Sequence, residues 1–295
     1  MENPWSLPNS VLIQRAIRAA ALVAREHGLA FGDEPRVIHE GSNLLLHLHP
    51  APVVARVATT TAMVREGDAW LAREVAVAGH VAAQGAPTIA PTAEIPPGPH
   101  HFSGLTMTFW QHVEQIDEPP DPKRTGAALR DCHEALESYD GPTPLPRLAV
   151  MREAEEIIER FAADGTLSNL DAGLLREAAA QSQRDIDALG LPFQAVHGDS
   201  HLGNVINTPD GPLWTDWEDT CLAPASWDLG CLLASGRYFG DDPAPGQAAV
   251  KGYGDAPDEA FVQARRLQGT VWSFVFARDH PERRSYAEGL MAQYR

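Results

Sequence analysis

The hydrophobic pattern of the chain changes near residue 111, and this change limits the fold more than any other feature. Before it, short runs rich in Val, Leu and Ile alternate with Gly, Pro and Asn, which is typical of strands joined by tight turns. After it, longer stretches repeat with the period of a helix. The segment at the change, EQIDEPPDPK, is acidic and proline-rich, as expected of a connection between lobes. The sequence therefore predicts an α+β protein with a β-rich N-terminal lobe (1–110) and a mostly helical C-terminal lobe (111–295).

The N-terminal lobe is predicted to contain two helices and five strands. An amphipathic helix is expected at about residues 10–27, with Asn9 or Ser10 as its N-cap, and a second helix at about 62–84. The strand-like runs are, in chain order, RVIHEG, NLLLHLH, VVARVA, TIAPTAEI and GLTMTFWQ. After the first helix, the expected order is three strands, one helix and two strands.

The C-terminal lobe is predicted to be helical with one β-hairpin inside it. Helices are expected at about residues 123–139, 147–163, 171–189, 226–239, 258–279 and 282–294. The runs FQAV, NVIN and GPLWTDW interrupt them, and NTPDG between the last two favours a hairpin turn. The polar segment HGDSHLGN therefore lies directly before a hairpin.

The acidic composition limits the partners of the protein. With 40 acidic and 23 basic residues, the formal net charge is −17. Such a surface repels nucleic-acid backbones and anionic membranes, and it is compatible with a cationic small molecule. Solubility alone is an alternative reason for the acidity. We expect a small-molecule partner, no nucleic acid and no membrane, in a monomer or a homodimer.

Cysteine usage and hydropathy indicate a reducing compartment. The three cysteines have no C-x-x-C spacing, so neither a disulfide framework nor a zinc knuckle is expected. There is no run of about 18 uncharged apolar residues, which a transmembrane helix requires. The N-terminal segment carries arginines within its apolar pattern, unlike a signal peptide. These features predict a cytoplasmic protein.

The segment HGDSHLGN places two histidines, an aspartate and an asparagine within eight positions. His-x₃-His on a helix can bind a metal, but two glycines argue against a helix here. A polar turn without chemistry is a second alternative. Phosphoryl transfer is the third, in which Asp199 accepts or orients the proton of an attacking hydroxyl while Asn204 and Asp216 hold Mg²⁺. The Asp-to-Asn spacing of the kinase catalytic loop, the hairpin and the later aspartate favour phosphoryl transfer.

The segments VHGDSHLGNVI and LWTDWEDTCLAPASWDLGCLL resemble the aminoglycoside phosphotransferase and choline kinase-like family. The family pattern is H-G-D-x-H-x-x-N, then Asp-[Trp/Phe]-Glu after a hydrophobic residue, then [Trp/Tyr]-Asp-Leu, and the sequence matches each element. The resemblance is strong over residues 195–234 and weaker in the N-terminal part. It implies a bilobal, protein-kinase-like fold with Asp199 as catalytic base and Asn204 and Asp216 as magnesium ligands.

The same resemblance implies supporting roles for three further residues. His197 and His201 would fix the loop, with a direct part in the transfer as the alternative. Asp228 would brace the loop from the next helix, where a negative charge near a helix N-terminus is also favoured.

The nucleotide side is predicted from the first strands. A turn at Gly41 and Ser42 would bring backbone N–H groups to phosphate oxygens, and Asn43 matches a polar residue of this loop in the family. No lysine precedes Lys123, so the phosphate-binding cation of the third strand cannot be lysine here. Arg56 matches that position and Glu74 matches its helix partner, with a surface role for Arg56 as the alternative.

The segment from Trp110 to His112 resembles the hinge between the lobes, where backbone groups would bind the adenine edge. A plain buried strand is a compatible alternative.

The sequence thus predicts a Mg²⁺-dependent kinase that moves the γ-phosphate of ATP, or of GTP, to a small-molecule hydroxyl. The acceptor would be an aminoglycoside-type or other antibiotic, a sugar or an amino alcohol, and antibiotic resistance is one role consistent with this. Candidate acids for a cationic acceptor are Glu218, Asp219, Asp241, Asp242 and Asp255. The alternatives are a nucleotide-binding regulatory pseudokinase and a nucleotide hydrolase or nucleotidyltransferase.

Overall fold

The computed structural model describes the backbone of residues 9–142 and 144–295. The N-terminal elements are, in chain order, α1 (Asn9–Glu26), β1 (Arg36–Glu40), β2 (Asn43–His47), β3 (Val53–Ala58), α2 (Thr60–Val64), α3 (Ala69–Ala83), β4 (His100–Phe102) and β5 (Leu105–Gln111). The N-cap predicted at Asn9 or Ser10 concerns side chains outside the described residues.

The five strands form one antiparallel sheet in the order β1-β2-β3-β5-β4. All six residues of β3 are buried because the centre of the sheet is covered on both faces. On one face, Leu46 packs in a cluster with Ala20 of α1, and on the other Val54 packs with Val77 of α3. Since side chains alternate along a strand, Arg56 lies on the same face as Val54, toward α3.

The C-terminal part is mostly helical. Its elements are, in chain order, α4 (Pro122–Leu136), α5 (Ala149–Ala163), α6 (Asn169–Leu189), β6 (Gln194–Val196), β7 (Val205–Thr208), β8 (Gly211–Trp214), β9 (Cys221–Ala223), α7 (Ser226–Tyr238), α8 (Pro243–Tyr253), α9 (Glu259–Asp279) and α10 (Arg284–Met291). The main core lies among α5, α6, α7 and α9. None of the helices in the described ranges is long and apolar enough to cross a membrane.

The β7–β8 hairpin is anchored between the sheet and the helices. Trp214 at its end and Trp217 just after it are completely buried. The backbone N–H of Ile89 donates to the carbonyl oxygen of Trp214 at 2.9 Å. These contacts join the hairpin to the segment that follows α3.

The structure corrects two predictions in the N-terminal lobe. The run TIAPTAEI makes only single bridges, at Thr88 and Pro91, and the fourth strand is His100–Phe102 instead. Pro91 has no N–H to donate to a strand ladder. The helix expected at 62–84 is two helices, separated by a bend at Gly67, whose φ is 73°.

Helix α8 was absent from the sequence prediction. Its start has a clear local signal, because Asp242 accepts the N–H of Ala244 at 2.9 Å and Pro243 occupies the first turn. The glycine and two prolines at its start hide the helical pattern.

Candidate active site

The loop HGDSHLGN is held by the first turn of α7. The Asp228 carboxylate accepts the backbone N–H of His197 at 2.7 Å and that of Gly198 at 2.9 Å. His133 of α4 lies 2.8 Å from the same carboxylate through Nε2. Burial acts to raise the pKa of Asp228, but the hydrogen bonds and charge interactions with His133, His197 and the Gly198 N–H together lower it. A charged, fully buried carboxylate therefore fixes the start of the loop.

Gly198 is required where this loop turns. Its φ is +90°, and an added Cβ would lie 2.1 Å from the carbonyl oxygen of Asp219. The indole N–H of Trp227 also donates to the Gly198 carbonyl oxygen at 2.8 Å. Only glycine combines this left-handed conformation with such a close backbone approach.

His197 is a buried, neutral support of the loop. Its Nε2 lies 2.9 Å from the carbonyl oxygen of Thr215, and its Nδ1 accepts the N–H of Asp199 at 3.3 Å. The ring packs against Trp214 and Trp217, with centroid distances of 5.2 and 4.5 Å. Because burial lowers the pKa of His197, the neutral ring donates through Nε2 and accepts through Nδ1.

The Asp199 carboxylate lies between an arginine and a histidine. Arg265 of α9 contacts its Oδ1 at 2.5 Å, and Nε2 of His201 lies 3.5 Å from its Oδ2. The Nδ1 of His201 accepts the N–H of Gly203 at 3.0 Å, which leaves Nε2 to carry the proton. Burial acts to raise the pKa of Asp199, but the Arg265 guanidinium together with His201 and His197 holds the pKa well below its usual range. Asp199 is therefore ionised at neutral pH.

Asn204 and Asp216 line the same cleft as Asp199. The Asn204 side chain donates through Nδ2 to the backbone oxygen of Asp199 at 2.8 Å, which leaves its own oxygen for another partner. Asp216 follows β8 in a left-handed conformation, with φ 68° and ψ 59°. The N–H of Thr215 donates to the Asn204 carbonyl oxygen at 3.0 Å and ties the two segments together. A carboxamide oxygen and a carboxylate are ligands of the kind that Mg²⁺ prefers.

Arg56 is the centre of a buried charge cluster. Its guanidinium contacts Glu74 and lies 2.6 Å from Asp216 Oδ1 and 2.5 Å from Glu218 Oε2. Arg56 is 5% exposed, so it is not a surface charge. Three carboxylates surround this one guanidinium, and burial raises the pKa of each. When all three carboxylates are ionised, they outnumber this guanidinium, a condition that a bound cation relieves.

A second arginine, Arg65, joins the lobes. Its Nε lies 2.6 Å from Glu153 Oε1 of α5, and its guanidinium also contacts Asp219. Burial raises the pKa of Asp219 to about 7. Glu218 and Asp219, the acids predicted to contact the acceptor, are thus held by arginines of the protein itself.

The turn between β1 and β2 approaches the same cluster. The Ser42 carbonyl oxygen accepts from the Thr59 hydroxyl at 2.9 Å and from the Thr61 N–H at 3.4 Å. The buried Asn43 side chain lies 3.4 Å from Glu218 Oε2 through Nδ2. The turn is therefore tied both to α2 and to the C-terminal lobe.

The cleft continues from this cluster to the connection between the lobes and has a volume of about 1140 Å³. Leu45 and Val54 of the sheet and Ile206 of the hairpin contribute apolar side chains to its lining. Apolar side chains from both lobes form a slot suited to a flat heterocycle.

Two backbone N–H groups of the predicted hinge are already engaged in hydrogen bonds within the protein. The N–H groups of Gln111 and His112 donate to other loops, at 3.0 and 2.9 Å. In the described part of the chain, Val113 is the first residue after them whose backbone N–H makes no hydrogen bond. The backbone N–H that is available to a ligand is thus that of Val113. Trp110 and His112 nevertheless both line the cleft.

Comparison with known proteins assigns the chain to a family. Residues 41–265, more than half of the chain, match the model described as the phosphotransferase enzyme family. The chain belongs to the phosphotransferase enzyme family. The matched range contains the loop, the hairpin and Arg56, and the predicted phosphotransferase class is confirmed. A search of curated protein sequences finds no match.

Solved structures share the fold of this phosphotransferase. An amicoumacin kinase in complex with AMP-PNP and Ca²⁺ is similar, with a TM-score of 0.69 at 10% identity over 95% of each chain. A choline/ethanolamine kinase family protein from Mesorhizobium loti gives 0.63 at 17% identity, over 94% of this chain and 93% of that one. A choline kinase from Streptococcus pneumoniae has a TM-score of 0.64 at 13% identity, over 95% of this chain and 100% of that one. The predicted α+β, bilobal, protein-kinase-like fold is confirmed.

Three of the acids proposed for a cationic acceptor lie outside the lining of the phosphotransferase cleft. Asp242 caps α8, Asp255 accepts the N–H of Ala256 at 2.7 Å, and Asp241 is exposed beside Asp242. The structure does not bring these three acids to the site.

Arg265, which contacts Asp199 from α9, was not predicted from the sequence. The adjacent Arg266 stacks on Tyr238 and Tyr294 instead, with distances of 5.0 and 4.4 Å to their ring centroids. Nothing in the local sequence separates the two arginines, because the rotation of α9 against the loop decides which one faces the cleft.

Replacing Asp228 with asparagine is expected to destabilise the phosphotransferase by about 3 kcal/mol at pH 7, because a buried network loses its charge. Urea unfolding measures this. The lowered pKa of Asp228 means that its stabilisation is present above the unfolded-state pKa and is lost as pH falls through the folded-state pKa. The difference in the free energy of unfolding between the wild type and Asp228→Asn should therefore become smaller below about pH 4. Asp131→Asn, an exposed change on α4, is the control, and an equal effect of both changes would contradict the prediction.

Proposed function

We propose that the chain is a Mg²⁺-dependent kinase that transfers the γ-phosphoryl group of ATP to a hydroxyl of a small molecule. The observation that carries the proposal is the convergence of Asp199, Asn204, Asp216 and Arg56 on one cleft. Phosphoryl transfer needs little covalent help from a protein, and its catalysis consists mainly of positioning and charge stabilisation. These four side chains supply both.

Asp199 orients the attacking hydroxyl. The hydroxyl oxygen forms a bond to the γ-phosphorus, the bond from that phosphorus to the β,γ-bridging oxygen breaks, and ADP leaves with that electron pair. The hydroxyl proton passes to Asp199 and from there to solvent. Because the pKa of Asp199 is held well below its usual range, it is a weak base that accepts the proton late. This suits a loose transition state, in which little charge develops on the attacking oxygen.

The donor set fits a magnesium ion. Asn204 has a side-chain oxygen left for another partner, and Asp216 belongs to a cluster with excess negative charge. Mg²⁺ is commonly held by one or two protein oxygen ligands together with substrate phosphates. Asn204 and Asp216 would hold it, and when bound it would neutralise charge on the transferred phosphoryl group.

Arg56 is suited to bind phosphate oxygens. Its planar guanidinium can donate two parallel hydrogen bonds to an oxyanion, unlike a lysine ammonium. Glu74 fixes it from α3, as the family resemblance implied. Ser42 and Asn43 would cover the phosphates from above.

The base would bind in the apolar slot, with the backbone of Val113 rather than that of His112 as donor. That the related amicoumacin kinase was solved with AMP-PNP supports ATP as the nucleotide, with GTP as the alternative.

Arg56→Ala should raise the KM for ATP about tenfold or more, because loss of a charge-assisted hydrogen bond weakens binding by about that factor. Arg56→Lys should raise it less, because the positive charge among the three carboxylates is kept. Steady-state kinetics with thermal melting as a folding check measures both. A KM for ATP that is unchanged in both variants would remove Arg56 from nucleotide binding.

The function is tested by incubating the full chain with Mg-ATP and a panel of alcohols, followed by mass spectrometry. ADP with a phosphorylated alcohol is the expected product pair. Free phosphate with every alcohol would indicate a hydrolase, transfer of AMP a nucleotidyltransferase, and nucleotide binding without turnover a pseudokinase.

A further inference from the structure

Beyond Asp199, the cleft runs along one face of α9. Arg265, Gln268, Trp272 and Phe276 line it and are spaced by three or four residues, which places them on one side of the helix. At a rise of 1.5 Å per residue, Trp272 lies about 10 Å and Phe276 about 16 Å along the axis from Arg265. Since Arg265 contacts Asp199, these distances measure how far the cleft extends from the reacting group.

Aromatic side chains dominate this end of the cleft. Phe239 follows α7 and packs under α9 at Gly269, where an added Cβ would lie 2.3 Å from its ring. The Tyr286 hydroxyl donates to the Phe239 carbonyl oxygen at 3.1 Å, and Tyr286 is 47% exposed. Phe239, Trp272, Phe276 and Tyr286 all line the cleft and are called the aromatic wall below.

The carboxylates at this end are already neutralised. Asp199 contacts Arg265, and Asp219 contacts Arg65. Gln268 and Ser273, the other polar side chains on this face of α9, carry no charge. An incoming ammonium group would therefore have to displace an arginine from its carboxylate, at the cost of leaving a buried guanidinium unpaired.

Two rings of the aromatic wall already lie near a positive charge. The Arg65 guanidinium lies 5.7 Å from the centroid of Trp272, and that of Arg283 lies 5.8 Å from the centroid of Phe276. Cation–π attraction acts within about 6 Å of a ring centroid. A quaternary ammonium placed on these two rings would meet a guanidinium of like charge.

We propose that the acceptor is a non-cationic alcohol with a flat, apolar ring system. The ring would lie on the aromatic wall while the hydroxyl reaches Asp199. This inference rests on the proposed kinase function and disfavours the cationic acceptor with which the net charge of the chain was compatible. Ring stacking and apolar burial supply the binding energy, and no protein carboxylate is needed.

Matched alcohols test the inference with the full chain and Mg-ATP. Phenyl and naphthyl β-glucosides carry the same hydroxyls as methyl β-glucoside and differ in the ring, while kanamycin and choline are the cationic probes. The aryl glucosides should exceed methyl glucoside, kanamycin and choline in kcat/KM by about tenfold or more. A preference for kanamycin or choline, or no phosphorylation of either aryl glucoside, would overturn it.

The failure of this inference can be told apart from that of the kinase function. Release of ADP without any alcohol, abolished by Asp199→Asn, reports the phosphoryl-transfer chemistry alone. If another alcohol is phosphorylated and the aryl glucosides are ignored, only the acceptor class is wrong. If no alcohol receives a phosphoryl group, the kinase function itself fails.

Trp272 separates stacking from a structural role. Its indole N–H donates to Glu153 at 3.2 Å, so Trp272→Ala removes both the ring and this bond, whereas Trp272→Phe removes only the bond. Trp272→Ala should raise the KM for the aryl acceptor about tenfold, and Trp272→Phe should restore most of it. Equal losses in both variants would assign the effect to Glu153 and overturn the stacking role. Phe193→Ala, which removes a ring outside the cleft, is the control and should change this KM less than about twofold.

Discussion

Asp199→Asn is expected to lower kcat by a factor on the order of 10²–10⁴ while ATP still binds. Asparagine has the shape of aspartate but cannot accept the hydroxyl proton, and its amide cannot balance the Arg265 guanidinium. The nucleotide contacts proposed above come from Arg56 and the lobe connection, which the change leaves in place. ADP formation with an accepted alcohol measures kcat, and calorimetry measures ATP affinity.

Asp241→Asn is the matched control for this prediction, since it removes an exposed aspartate outside the cleft. It should leave kcat within about twofold of the wild-type value. Near-wild-type turnover in Asp199→Asn would contradict the catalytic assignment. A change in the melting temperature would reveal whether the unpaired Arg265 also disturbs the fold.

Asp216→Asn is expected to weaken the apparent affinity for Mg²⁺ about 100-fold or more. Loss of a supporting partner of a ligand already costs about 10–100-fold in metal affinity, and Asp216 is proposed as a ligand itself. The variant also removes one of the three carboxylates around Arg56, so magnesium gains less by neutralising the cluster. Titrating Mg²⁺ at fixed ATP and measuring ADP formation gives the apparent affinity.

The pH dependence of this titration is a second readout. Burial raises the pKa of Asp216, and the nearby Asp199 charge adds to this against the lowering effect of Arg56. A ligand must be deprotonated to bind a metal, so the wild type should need more Mg²⁺ as pH falls, from a higher pH than an ordinary aspartate would show. Asp216→Asn should lose this dependence. An unchanged Mg²⁺ requirement in the variant would remove Asp216 from the metal site.

Local spacing made the centre of the site predictable. Asp199 and Asn204 lie on one short loop, and a hairpin of fixed length returns the chain to Asp216, so their proximity follows from adjacent turns. Arg56 and Glu74 are farther apart in sequence, but a strand and the next helix bring them together, and the family pattern marked both. The pairing of Arg56 with Glu74 in the structure has the arrangement that the resemblance implied.

The remaining features depend on contacts between distant segments. The free backbone donor at Val113, rather than at His112, follows from a bond between His112 and Pro52 that no periodicity encodes. Asp219 was predicted to contact a cationic acceptor because the sequence does not show that Arg65, 154 residues away, already contacts it.

By itself, the sequence determined the two lobes and the loop and hairpin that carry the residues proposed for phosphoryl transfer, because strand alternation, helical repeats and turn residues act over short distances. Only the tertiary structure decided that Arg265 contacts Asp199 and that the acceptor end of the cleft is aromatic with its carboxylates neutralised. The net charge of −17 was also compatible with a cationic acceptor, because a total over the chain does not record which acids an arginine has already paired.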